Sequence, residues 1–280
     1  MVSPQPHTLT FPTPPPTRLL RAALHRPRPG GAPLQIPRIV VEIERAVLLD
    51  DAAYRRLCGF VGKGPPLTAP HLLAGSAHIA IVSHPAMPLP SMGLVHMRNT
   101  IVAHRPLAAG AVLRLRVHTE GHHPVRAGVE FDVHTAACIG DEVVWEEVST
   151  YLSRAVEGTG EARAPEPEPL KSPIISTPWR LPSDLGRRYA HASGDYNPIH
   201  LTSLTARAFG FPRAIIHGMW TLARAAAQLE LPQPATLRCT FSRPALLPST
   251  VIFSADASGC FQVRAARTGK LLLSGEATAR

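Results

Sequence analysis

The chain has 280 residues, 45% of them hydrophobic and 18% charged, which is enough apolar content for a domain-sized core and excludes a disordered polymer. A formal charge of +9 suits anionic partners in general, but only 5% of residues are aromatic and no zinc finger, RRM motif or basic run with interleaved stacking rings supports nucleic-acid binding. Cys58, Cys138, Cys239 and Cys260 lie far apart, with no C-x-x-C pair, which excludes a zinc ribbon, a thioredoxin-like site and a disulfide scaffold.

In chain order, residues 1–36 read as a proline-rich arm: Phe11-Pro12-Thr13-Pro14-Pro15-Pro16 favours polyproline II, and Arg18, Arg21, Arg26 and Arg28 hold part of the excess charge. The arm has no apolar h-region, and no stretch approaches the roughly 20 apolar residues of a membrane span. A reduced, cytoplasmic protein is expected. Residues 37–155 form a first unit. Within it, residues 71–81 are apolar nearly all round, the mark of a helix buried on most sides. Leu113, Leu115 and Val117 then alternate with polar residues, as do Val129, Phe131 and Val133, and period two predicts half-buried strands.

Residues 156–175 read as a linker, because Gly158, Gly160 and Pro165-Glu166-Pro167-Glu168-Pro169 oppose regular structure. Residues 176–280 repeat the series of signals: a mostly apolar helix over 216–229, then alternation at Leu237, Cys239 and Phe241, and again at Phe261, Val263 and Ala265. Arg105-Pro106 and Arg243-Pro244 each lead a turn into a new strand at a similar distance from the buried helix. A diverged duplication of an α+β unit, its antiparallel sheet wrapped around the helix, is the economical reading.

The informative stretch is Ser193-Gly194-Asp195-Tyr196-Asn197-Pro198-Ile199-His200. Gly194-Asp195 permits a sharp turn, Asn197 precedes a proline and is pushed out of helical geometry, and Pro198 suits the first position of a helix. His200 then falls near the third position, and Asp195 and His200 bracket a compact turn. A carboxylate and an imidazole that share a water supply a general base and a general acid. Taken alone, the same residues also fit a helix cap and a surface histidine. Downstream, Ile216-His217-Gly218-Met219 opens the second buried helix. A helix N-terminus offers unpaired N–H groups, and a side-chain-free Gly218 lets a ligand carbonyl approach, although glycine also serves simply to let a helix cross a strand.

This stretch, with Ala208-Phe209-Gly210-Phe211 and His217-Gly218-Met219, resembles the signature of the hydratase-2, or MaoC-like dehydratase, branch of the hotdog-fold superfamily. The likeness continues more weakly through Phe241-Ser242-Arg243-Pro244 and covers roughly the last third of the chain. The resemblance implies a double hotdog and reversible syn hydration of a trans-2-enoyl thioester to an (R)-3-hydroxyacyl thioester, carried by CoA or an acyl carrier protein. It further implies Asp195 and His200 as the catalytic dyad and the Gly218 N–H as the oxyanion donor. Asn197, Tyr196, Met219 and Phe241 would contact substrate or fix its loop. No metal and no cofactor are implied.

One position departs from the family pattern: Thr202 stands where an acid is usual, two places after the catalytic histidine, and can still offer a hydroxyl as a cap. The first unit has no counterpart of the dyad, so one active site per chain is expected. Its helix, with small residues at Ala74, Gly75, Ser76 and Ala77, would accommodate the acyl chain. His71 reads as structural or pocket-lining, His122-His123 as a surface turn in preference to a weak metal site, and Arg105 and Arg243 as phosphate contacts or surface packing. A non-catalytic acyl-thioester binding module and a thioesterase on the same fold are the alternative functions. Two units in one chain could form a complete pair as a monomer or assemble further as a homodimer.

Overall fold

A computed structural model describes residues 7–11 and 34–279. The prolines at 12–16 and Arg18, Arg21, Arg26 and Arg28 lie outside the described residues. Part of the segment read as an arm is a strand, β1 (His7–Phe11), paired in parallel with β2 (Ile39–Val47).

The chain forms two compact units that interleave along the sequence: residues 1–48, 73–99 and 110–164 in one, and residues 49–72, 100–109 and 165–280 in the other. A division at a single linker does not anticipate this exchange of segments.

Beyond β2, the first unit is built on β3 (Val95–Ala103), β4 (Val112–Val125), β5 (Gly128–Ile139) and β6 (Glu142–Ser153), in the order β1-β2-β4-β5-β6-β3. β2, β4, β5 and β6 pair antiparallel. The expected alternation holds: Leu113, Leu115 and Val117 on β4, and Val129, Phe131 and Val133 on β5, are all buried. His122-His123 is not a surface turn. β4 runs through it across a bulge between Glu120 and His122, so that His122 pairs with Phe131 and His123 with Glu130. Gly121, at φ +68°, takes up the extra residue.

The helix predicted over 71–81 is α2 (Ala69–Val82), which has no exposed residue. The residues before it form α1 (Ala52–Cys58), a helix of the second unit. The Asp51 side chain caps α1 by accepting the N–H groups of Ala53 (2.7 Å) and Tyr54 (3.0 Å).

The rest of the second unit runs β7 (Ile175–Leu181), α3 (Leu185–Ser193), α4 (Ser203–Arg207), α5 (Gly218–Leu229), β8 (Ala235–Phe241), β9 (Ser249–Ala255), β10 (Cys260–Ala265) and β11 (Leu271–Ala279). Its sheet has the order β8-β11-β10-β9-β7, antiparallel throughout. β2-β4-β5-β6-β3 and β7-β9-β10-β11-β8 are the same arrangement. In each, the strand before the long helix and the strand after it take the outer places, and the last three strands fill the middle. The Arg-Pro turns correspond too, joining β3 to β4 and β8 to β9. Shared strand order is what a duplication leaves behind after the sequences diverge.

An aromatic chain joins α5 to its sheet. Trp220 meets Trp179 of β7 edge-on at 6.2 Å, Trp179 stacks on Phe253 of β9 at 5.0 Å, and Phe253 meets Phe261 of β10 at 6.2 Å. The polar ends of this layer close α1. Trp220 Nε1 donates to the Leu57 carbonyl (3.1 Å) and Arg224 Nη1 to the Cys58 carbonyl (3.1 Å), pairing two of the carbonyls a helix end leaves over. Glu166 to Glu168 are strapped along the second unit: Glu166 pairs with Arg243, the Pro167 carbonyl accepts from Arg264 and the Glu168 carbonyl from Gln262. Arg243 is thus engaged by an acidic partner. No helix among the described residues is long and apolar enough to cross a membrane.

Phe253 is completely buried in the middle of the aromatic chain. Phe253→Ala is expected to cost about 3–5 kcal/mol of stability, read as a lower midpoint in urea or guanidinium unfolding; an unchanged midpoint would deny the chain its role in the core.

Candidate active site

α3 ends because Gly194 takes a left-handed φ of +77° while its N–H closes on the Ala190 carbonyl at 2.9 Å. The chain leaves the helix at an angle, and the side chains of the next residues brace the loop. The Asp195 N–H donates to Ser193 Oγ (3.2 Å), and Asp195 Oδ1 accepts the Asn197 N–H (3.1 Å). Asn197 Oδ1 in turn accepts the Ile199 N–H (3.4 Å), capping the 3₁₀ turn Pro198–His200. The proline opens that turn and His200 is its third residue, as its sequence position implies. α3 lies against this turn at Gly186, where a Cβ would come within 2.0 Å of the His200 carbonyl oxygen. No other residue fits there.

His200 is buried, and its Nδ1 is 2.8 Å from the Ile215 carbonyl. A carbonyl only accepts, so Nδ1 carries the proton and Nε2 keeps its lone pair. His217, the residue before α5, is also buried; its Nε2 donates to the Asp195 backbone carbonyl (3.0 Å) and lies 3.8 Å from Asp195 Oδ2. The two imidazoles stack at 3.6 Å between centroids, and Tyr189 of α3 packs on His217 at 4.8 Å. One ring nitrogen of each histidine and one Asp195 oxygen lie within 4.8 Å of one another, a span one water can bridge. The same three donors could hold a divalent cation, with His200 Nδ1 and His217 Nε2 already committed to carbonyls.

The electrostatics follow from this packing. The Asp195 side chain is 52% exposed; desolvation beside the packed rings would push its carboxyl up, but the His217 and His200 imidazoles, the Asn197 N–H and the more distant His71 together hold it below the usual carboxylate value. Burial lowers His200, against the pull of Asp195. His217 is pushed down to about 3, first by burial and then by His200. The carboxylate is ionised and both rings are neutral at neutral pH.

The remaining predicted residues fall as follows. Gly218 is the first residue of α5, and a Cβ there would meet the Phe241 ring at 2.9 Å, so Phe241 stands directly against the helix start. Met219 is buried on the same turn. Tyr196 is 47% exposed, with its hydroxyl 3.5 Å from His191 Nδ1. Thr202 caps α4: its Oγ1 accepts the Thr205 N–H (3.1 Å) and Thr205 Oγ1 accepts the Thr202 N–H (3.2 Å). The hydroxyl thus supplies the cap that an acid would otherwise give.

One residue's role escapes the sequence reading: His217 entered it only as part of the Gly218 motif, although its Nε2 holds the Asp195 carbonyl, and a histidine immediately before a helix start was the available signal. His71, read as structural or pocket-lining, lies close enough to act on Asp195 from α2.

A model of the MaoC like domain matches residues 163–274. The chain is 33% identical to 3-hydroxyacyl-thioester dehydratase X of Mycobacterium tuberculosis over 255 residues, spanning 86% of this chain and 89% of that protein. The crystal structure of HtdX of M. tuberculosis superposes with a TM-score of 0.74 at 29% identity, across 86% of this chain and 100% of that one. The crystal structure of a MaoC-like dehydratase from Phytophthora capsici, at 19% identity, shares the fold with a TM-score of 0.68 over 88% of this chain and 96% of its own.

Both depressed histidines favour the neutral form in the fold, while their unfolded value is 6.5. The folded chain therefore binds fewer protons than the unfolded chain below pH 6.5, and stability should fall as pH drops from 6.5 towards about 3, the His217 limit. Urea midpoints across this range check the sign. A midpoint that rises on acidification contradicts it.

Proposed function

The chain belongs to the MaoC-like dehydratase family, and from that premise we propose that Asp195 and His200 are its catalytic pair and the Gly218 N–H its oxyanion donor. The protein is a hydro-lyase of fatty-acid metabolism that interconverts 2-enoyl and 3-hydroxyacyl thioesters. The observation that carries the residue assignment is the ionised Asp195 within one water's reach of a neutral His200 whose Nε2 lone pair is uncommitted.

In the hydration direction, water sits between the two groups. The His200 lone pair accepts one of its hydrogens and fixes its orientation. Asp195 takes the other as the water oxygen bonds to the β-carbon. The electron pair of the C=C bond shifts towards the thioester oxygen, where the Gly218 N–H meets the developing negative charge. The proton on Asp195 is then delivered to the α-carbon. Addition of both atoms from one face makes the reaction syn, and the face of the enoyl group turned towards Asp195 and His200 sets the (R) configuration at C3. His217 positions Asp195 through the backbone carbonyl, Asn197 braces the loop, and Phe241, Met219 and Tyr196 border the substrate.

The carrier is CoA or an acyl carrier protein, both of which present phosphate to a basic chain. The first unit has no dyad and serves the acyl chain, supported by the small residues Ala74, Gly75, Ser76 and Ala77; a Cβ at Gly75 would meet nothing within 4 Å. The four cysteines are free thiols, in keeping with a reducing cytoplasmic setting.

Purified protein with a short trans-2-enoyl-CoA should show loss of enoyl absorbance without thiol release, giving the (R)-3-hydroxy product. Thiol release would instead identify a thioesterase, and inertness towards CoA- and carrier-bound enoyl substrates of all lengths a binding module. Asp195→Asn and His200→Gln should each lower kcat by roughly 10²–10⁴ with the unfolding midpoint retained; full activity in either variant refutes its role. The kcat/KM profile should stay flat from about pH 8 through 6.5, with its acid limb lower still, because the His200 value lies below 6.5. An acid limb above 6.5 would contradict a neutral His200.

A further inference from the structure

The first unit carries a second group of donors, remote in sequence from the dehydratase residues and unused by the reaction. β4 and β5 pair so that His118 stands opposite His134, and Glu120 opposite Asp132. Because side chains alternate along a strand, and Leu115, Val117 and Thr119 fill the buried face of β4, His118 and Glu120 share its other face. The His118 and His134 rings stack at 5.4 Å and 19°. His118 Nε2 lies 2.9 Å from Glu120 Oε2, and one donor atom from each of His118, Glu120 and His134 falls within 4.8 Å of the others.

We infer that His118, Glu120 and His134 form a binding site for a divalent transition-metal ion of the zinc type. Two imidazoles and a carboxylate are the donor set such an ion prefers, and they leave coordination positions for water. The strand ladder already brings the donors together, so the ordering cost of assembling them on binding is small. His118 Nε2 faces the carboxylate and Nδ1 is buried without a hydrogen-bond partner, so the tautomer protonated at Nδ1 gives up no existing bond there and turns the Nε2 lone pair to a cation. Asp132, opposite Glu120, is held by Thr150, whose hydroxyl donates to its Oδ1 at 2.6 Å. Arg38 is the competing cation, with Nη1 3.7 Å from Glu120 Oε2. A bound ion would tie β4 to β5 and stabilise the first unit by mass action.

The test uses full-length, tag-free protein stripped with EDTA, titrated with Co²⁺ by visible absorption and with Zn²⁺ by calorimetry. One ion per chain should bind at this site, with affinity reduced roughly tenfold or more in His118→Ala and in His134→Ala, and increased in Arg38→Ala. Asp195→Asn, which removes a donor from the dehydratase cluster, should leave it unchanged. Zn²⁺ should raise the melting temperature of the parent protein and not that of the doubly substituted His118→Ala/His134→Ala chain. No binding, equal binding by the double variant, or loss of binding in Asp195→Asn alone would each overturn the inference.

Discussion

Two imidazoles stacked 3.6 Å apart cannot both be charged, and this constraint organises the cluster around Asp195. Buried as they are, His200 and His217 must also find acceptors for their N–H groups, and each finds a backbone carbonyl: Ile215 for one, Asp195 for the other. Those two bonds fix both tautomers. They leave Asp195 as the sole charge of the trio and tie its main chain to the start of α5. The left-handed Gly194, the braced Asn197 and the close approach at Gly186 can all be understood as the backbone needed to bring one carboxylate to that stack.

Much of the fold was legible because burial on one face writes a period into the sequence. β4, β5, β8 and β10, and the helices α2 and α5, fall where alternating or all-round apolar residues predict them. What escaped has no local period. α1 is a short helix with adjacent arginines, Arg55 and Arg56, and its last carbonyls are satisfied by Trp220 and Arg224, more than 160 positions away. The paired histidines at 122 and 123 follow a glycine, which reads as a turn; only the register with β5 shows that the glycine is spent on a bulge.

The site was legible to the extent that backbone chemistry constrains it. Asn-Pro forces the entry into the turn and Pro198 starts it, which leaves His200 one place to be. Thr202 behaves as a cap in the way a hydroxyl should. By contrast, the role of His217 depends on a carbonyl 22 residues earlier, and the packing of Phe241 on Gly218 depends on a strand reaching a helix start. Such pairings are properties of the folded chain. Sequence can nominate their members without revealing who meets whom.

The interleaving of the two units bears on modularity. A tandem duplication ordinarily yields halves that can be separated again, each owning its core. Here the second unit includes residues 49–72 and 100–109, which lie in the sequence among the segments of the first. A polypeptide beginning at residue 165 would lack α1, with Trp220 and Arg224 deprived of the carbonyls they close on. The unit that carries the Asp195 loop therefore does not begin where its sequence repeat begins, and a cut at the linker would take a helix out of its own core.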